Sequence, residues 1–204
     1  MVLFITNNLM MRGIMFFGSL GGGIRFVEIK KCIEDIFKGD LHKKRVLSLA
    51  NATLGVITSG SLIVSQIGQS LAAARGLNTK HTVKQVDRLM SNEGIDVWNL
   101  FSYWIPFIIG DRTNVIVAMD WTDADADGQT TLALNLVTNH GRATPLLWLS
   151  VFKEELKGAR NNFEDACLAR LQELMPKGVT VTILADRGFG DHKLFSFLDE
   201  LGFG

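Results

Sequence analysis

Several residue types that mark a protein class are scarce in this sequence. It has two cysteines, Cys32 and Cys167, far apart and outside any CxxC spacing. That argues against a disulfide scaffold and a cysteine-based zinc site, and it suits a reducing cytoplasm. Cys167 falls on the apolar stripe of an expected helix, so a buried structural thiol is its reading. No stretch reaches ~18 uninterrupted apolar residues, so a membrane-spanning helix is not expected. Net charge is also lacking: 21 Lys and Arg balance 21 Asp and Glu. What is present is a chain that is 47% apolar and 21% charged, which excludes a disordered or collagen-like polymer. A chain of 204 residues suits one domain, or one domain with a small helical appendage. It needs no disulfide or metal staple, since a chain of this size buries roughly 70% of its unfolded surface.

The zero net charge hides a pattern. Residues 1–40 carry +1, residues 41–112 carry +4 and residues 113–204 carry −5. A basic segment precedes an acidic one, which points to an anionic partner for the first and cations for the second.

Residues 1–25 read as an irregular apolar extension, with Asn7, Asn8 and Arg12 interrupting it and Gly21-Gly22-Gly23 following. It lacks the basic start and steady apolar run of a signal peptide. Residues 26–111 read as an all-helical region, with helices expected near 26–38, 42–56, 61–75, 79–91 and 95–109. Gly76 stops the third and Thr79 is expected to cap the fourth. On that fourth helix Val83, Val86, Leu89 and Met90 form an apolar stripe. Lys80, Lys84 and Arg88 stand at steps of four, with Gln85 beside them, and make a cationic row. Two helices joined by a short glycine turn, the second with a cationic face, form a helix-turn-helix pattern that contacts DNA phosphates or base edges. A solvated helix face is the alternative.

The pattern changes near Gly110. Strands are expected at 114–121, 129–138 and 142–152, an antiparallel meander. A helix over 161–175 follows, capped by Asn161 or Asn162, with Phe163, Cys167, Leu171 and Leu174 facing the core. A strand at 179–185 and a helix at 191–201 complete the order β-β-β-α-β-α. Together these predict an α/β (α+β) chain whose last part, residues 112–204, is a mixed sheet with helices packed on it.

Two acids interrupt apolar strands: Asp120 in Val115-Ile-Val-Ala-Met-Asp-Trp121, and Asp186 after Val181-Thr-Ile-Leu-Ala185. A carboxylate at the end of a core strand is costly unless neutralised. Divalent cations with hard oxygen ligands, Mg²⁺ or Mn²⁺, would neutralise such a pair and serve phosphate chemistry. The alternative is that each Asp caps a turn. Asp123, Asp125, Asp127 and Gly128 imitate the start of a calcium loop, but its twelfth position is Leu134 rather than Glu and the flanks are strands. A polar hairpin connection is the reading there. His42, His81, His140 and His192 show no ligand spacing. Trp98, Trp104, Trp121 and Trp148 read as core, with Trp121 beside Asp120 able to border a site.

Four segments, Val115–Thr122, Thr131–Val137, Gly141–Trp148 and Ile183–Phe189, together resemble the DDE transposases of bacterial insertion sequences, in the IS-four-like branch. Lys44–Asn51 and Lys84–Leu89 resemble the helical region that precedes the catalytic core in that family. The resemblance covers about residues 41–204. It implies a ribonuclease-H-like core, with Asp120 and Asp186 as the first two catalytic acids and Mg²⁺ ligands. It implies transposon-end and target double-stranded DNA as partners, and DNA cleavage followed by strand transfer. The family's third acid, a Glu on a later helix, has no counterpart here. Glu200 lies too close to Asp186 and is expected on a helix surface. The expectation is therefore a truncated or frameshifted transposase, inactive as this fragment, with catalysis and a homodimeric state left open. Two alternatives stand beside it: a DNA-binding remnant that inhibits transposition, and an unrelated Mg-dependent phosphohydrolase using Asp120, Asp186 and the 123–127 acids.

Overall fold

A computed structural model describes residues 25–37, 39–124, 128–139, 143–190 and 192–204. The extension expected over residues 1–25 lies outside the described residues except for Arg25, and so do Asp125, Asp127 and His140. The chain divides into two compact units, Met1–Leu100 and Phe101–Gly204. Seven α-helices and one four-stranded mixed sheet are found among the described residues.

The first unit is helical. Its elements are α1 (Phe26–Ile36), α2 (Lys43–Ser59), α3 (Val64–Arg75) and α4 (Thr79–Met90), followed by α5 (Val97–Ile109), in which the division between units falls. All five stand within a few residues of their expected places. Gly76 ends α3 with φ +63°, a left-handed conformation that suits a residue without Cβ. The α4 cap differs from expectation by one residue. Asn78 caps it, its Oδ1 accepting from the His81 N–H at 3.2 Å, and Thr79 is the first helical residue. From Asn78 a short amide oxygen reaches the third helical N–H.

Close approach holds these helices together. A Cβ on Gly68 would lie 2.6 Å from the Val83 Cα, so α3 and α4 meet backbone to backbone there. The buried Thr82 hydroxyl donates to the Gly68 carbonyl at 2.7 Å across the same contact. Buried Asn51 of α2 accepts from the Arg75 guanidinium at 2.6 Å and donates to Gln85 Oε1 at 3.3 Å. That network ties α2, α3 and α4 around a core that includes Leu49, Ile67, Leu71 and Val86. No described helix is long and apolar enough to cross a membrane, and the apolar pair α2 and α3 is bent by 95° at its break.

The second unit is built on strands β1 (Asn114–Ala124), β2 (Gln129–Val137), β3 (Ala143–Phe152) and β4 (Thr180–Ala185) in the order β3-β2-β1-β4. The expected meander is present: β1–β2 and β2–β3 are antiparallel, while β1–β4 is parallel. The helices are α6 (Arg160–Leu174) and α7 (His192–Leu201). Alternation puts Val115, Val117, Met119 and Trp121 on one face, with Leu132, Leu134 and Leu136 paired beside them. Trp121 hydrogen-bonds to α6, so α6 lies over this face. The other face carries Trp148, whose ring meets Phe101 edge-on at 4.7 Å. The Trp104 indole donates to the Pro145 carbonyl at 2.9 Å, which seats residues 101–109 of α5 against β3. Toward β1 and β4 the same face is open, with Ile116 48% and Leu184 57% exposed. Gly204 forms a parallel bridge on the outer edge of β4, donating to Val181 O at 2.9 Å and accepting from Ile183 N at 2.8 Å.

The helix α6 departs from its expected face. It begins at Arg160, after Ala159, with no side-chain cap from Asn161 or Asn162. Its buried residues are Glu164, Cys167, Leu168 and Leu171, while Phe163 and Leu174 are half-buried. The rotation follows from Glu164, which turns inward because it has partners there. Cys167 is fully buried, as expected.

Candidate functional site

The parallel pairing of β1 with β4 runs in register from Asn114–Thr180 to Met119–Ala185. The next residue on each strand is an acid, Asp120 on one and Asp186 on the other. The pairing therefore ends one residue before a carboxylate on each strand, where paired strands stand about 4.8 Å apart. Alternation sends Asp120 to the open face, opposite Met119, and it is exposed. The backbone at Asp186 stays extended, with φ −76° and ψ 176°, one residue past the last paired position. Asp186 also caps a short 3-10 turn (Arg187–Phe189), its Oδ1 accepting from the Gly188 N–H at 2.8 Å. The capping role considered from sequence is thus real, and it holds the carboxylate in one orientation.

Behind this pair, on the covered face, lies a cluster that sequence reading missed. Glu164 is buried, and its Oε1 accepts from the Trp121 indole at 2.8 Å and from Arg160 Nε at 2.9 Å. The Arg160 guanidinium stands 5.7 Å from the Trp121 ring centre and 5.3 Å from that of Phe189. Trp121 follows Asp120 directly, and Phe189 closes the turn that Asp186 caps. One arginine therefore links Trp121 of β1 with the turn that follows β4. Glu164 also acts on its neighbours. Burial first, then the Glu164 charge, raises the Asp165 carboxyl above its ordinary value. The same two causes push the Cys167 thiol up to about 12. A signal was available in the i,i+4 pair Arg160 and Glu164, but that spacing reads equally as a solvated helix face.

Other described acids are placed or engaged elsewhere. Asp123 forms an ion pair with Lys153 at 2.9 Å, and its carboxyl is lowered chiefly by that lysine's hydrogen bond and then by Thr130. Glu200 is exposed on α7. Glu164 sits on the opposite face of the sheet from Asp120. Among the described residues no group of three His, Cys, Asp or Glu side chains is placed to hold a metal ion.

In the helical unit, Lys80, Lys84 and Arg88 are exposed on α4, as expected for a solvent-facing row. Gln85 is half-buried and spends its Oε1 on Asn51. The surface relief follows a neighbouring stripe. His81, Gln85, Arg88 and Asn92 line a cleft of about 280 Å³ together with Lys44, Arg45 and Ser48 of α2. Lys80 and Lys84 stand outside it. His42, one of the histidines without ligand spacing, accepts from the Lys44 N–H at the start of α2. No family model, curated protein or solved structure matches the chain.

Proposed function

We propose that this chain is a DNA-binding polypeptide of the insertion-sequence transposase type, with a ribonuclease-H-like sheet carrying two of the three catalytic acids. The observation that carries the reading is the parallel register of β1 and β4, whose last pair, Met119–Ala185, is followed by Asp120 on one strand and Asp186 on the other. The element order β-β-β-α-β-α also agrees with the core that the resemblance implies. Helices α3 and α4, joined through Gly76, Leu77 and Asn78, supply the DNA-binding part, with Lys80, Lys84 and Arg88 on its exposed side and half-buried Gln85 beside them.

The donor chemistry fits a divalent ion. Asp120 and Asp186 offer hard carboxylate oxygens, and Mg²⁺ is commonly held by one or two carboxylates, with waters and substrate phosphate completing its shell. When bound, such an ion polarises a phosphodiester and activates water. The protein's own part is to hold the two carboxylates: Gly188 N–H orients Asp186, and the β1 ladder fixes Asp120.

Gel-shift and plasmid-nicking assays with Mg²⁺ and Mn²⁺ test the proposal. The full chain should bind duplex DNA with a steep salt dependence, and any nicking should vanish in Asp120→Ala and Asp186→Ala while binding persists. Lys84→Ala and Arg88→Ala should weaken binding and reduce the salt slope by about one each. Absence of duplex binding at low salt would overturn the reading. A second reading, a DNA-binding protein without catalysis, is the outcome if binding occurs and neither metal supports nicking.

A further inference from the structure

We propose that the cleft between α2 and α4 is a phosphate-binding site, with Lys44, Arg45 and Arg88 supplying charge and Ser48, Gln85 and Asn92 supplying neutral hydrogen-bonding groups. The inference deepens the DNA-binding reading and rests on it only for the source of the phosphate. It moves the anchor from the outer row of α4 to a recess formed by two helices.

Three observations support it. First, the lining is one-sided in charge. It contains no Asp or Glu, and among the described residues no carboxylate pairs with Lys44, Arg45 or Arg88. Clustered cations that leave each other uncompensated gain most from an anion between them. Second, α2 begins with Lys43, Lys44 and Arg45 and has no acid in its first turn. The helix N-terminus already carries partial positive charge, so three cations there oppose the dipole. An anion at this end would relieve that opposition, and the helix tolerates the arrangement at a cost in stability. Third, the recess is shaped around Arg45. A Cβ on Gly94 would collide with the Arg45 guanidinium, so the glycine leaves room for that group to lie across the chain. The volume, about 280 Å³, is near the low end for small-ligand sites, and suits a phosphate with part of its attached sugar rather than an extended organic ligand. The phosphate could belong to a DNA backbone or to a free phosphate compound, and both present the same oxyanion.

The test uses the full chain and two probes, a labelled random-sequence duplex followed by fluorescence anisotropy and inorganic pyrophosphate followed by calorimetry. The expected result is that Lys44→Gln/Arg45→Gln weakens duplex binding at least about tenfold and lowers the salt slope by about two. Lys80→Gln/Lys84→Gln should weaken it less, by about threefold, as exposed contacts to phosphate do. Pyrophosphate should bind the wild type and not the Lys44→Gln/Arg45→Gln chain. Gly94→Ala keeps every charge and displaces only the guanidinium; it should reduce both affinities, and it carries the test if the double variant does not fold. Unchanged duplex and pyrophosphate affinities in both cleft variants would overturn the cleft while leaving DNA binding through α4 standing. Pyrophosphate binding that the cleft variants abolish, in a chain that binds no duplex, would support the cleft and overturn the DNA reading instead.

Discussion

The two units treat their cations differently. In the sheet unit Lys153, Arg160 and Arg170 pair with Asp123, Glu164 and Glu173. In α2 and α4 of the helical unit, Lys43, Lys44, Arg45, Lys80, Lys84 and Arg88 form no ion pair among the described residues. The sheet unit uses arginine to fix its own geometry, most clearly where Arg160 spans Trp121 and Phe189. In the helical unit α1 and the residue before it do pair their cations, Lys30 with Glu34 and Arg25 with Glu28, but α2 and α4 leave theirs to solvent or to a partner. The difference separates charge that organises a site from charge that awaits a ligand, although net charge alone treats the two alike.

Three measurements would break or sharpen this contrast. The largest effect is expected in the helical unit, where α3 and α4 meet backbone to backbone. Gly68→Val would drive a side chain into the Val83 backbone, and overpacking of that kind should cost roughly 3 kcal/mol. Urea denaturation measures the loss; a change under ~0.5 kcal/mol would show that α3 and α4 can separate without penalty.

The next effect belongs to the sheet unit. Glu164→Ala strips the half-buried Trp121 indole and Arg160 of their shared acceptor, at a cost of about 2 kcal/mol. Glu164→Gln retains an oxygen for the indole and should recover part of this. Trp121 fluorescence and near-ultraviolet circular dichroism should shift in Glu164→Ala. If they do not, Arg160 is a surface ion pair like any other and does not tie β1 to the turn that follows β4.

The smallest effect is a pH dependence. The folded Cys167 thiol is raised to about 12 from an ordinary 9.0, so the folded chain keeps a proton that the unfolded chain releases. Stability from this group is unchanged below pH 9.0 and declines as pH climbs from there toward about 12. Between pH 9 and about pH 10 the loss should be about 1 kcal/mol, and Cys167→Ala should lack that portion. Alkylation gives a second check. Half-buried Cys32 of α1 should react before the buried Cys167, and equal rates would contradict the packing of α6.

Much of this architecture is legible in the sequence because local patterns agree with one another. The β-branched run before Asp120, the alternation in β2 and the Gly76 stop each specify an element from neighbours along the chain. The acids at 120 and 186 stand out because a carboxylate ending an apolar strand conflicts with its surroundings. The helix α6 shows where local reading fails. Nothing within Arg160–Leu174 distinguishes Glu164 from a surface acid, because its acceptor role is defined by Trp121, 43 residues earlier. The row at 80, 84 and 88 was likewise visible, yet the recess follows 81, 85, 88 and 92, because α2 packs beside that stripe.

The sequence by itself determined the elements, their order, the basic and acidic halves, and the two acids worth watching. All of these depend on residues close together in the chain. The tertiary structure decided the register that follows Met119–Ala185 with Asp120 and Asp186, the inward turn of Glu164, and the joining of Lys44 and Arg45 with Arg88 around one cleft. Those depend on strand pairing and helix packing between residues far apart in the chain, where one step of register moves a side chain to the opposite face.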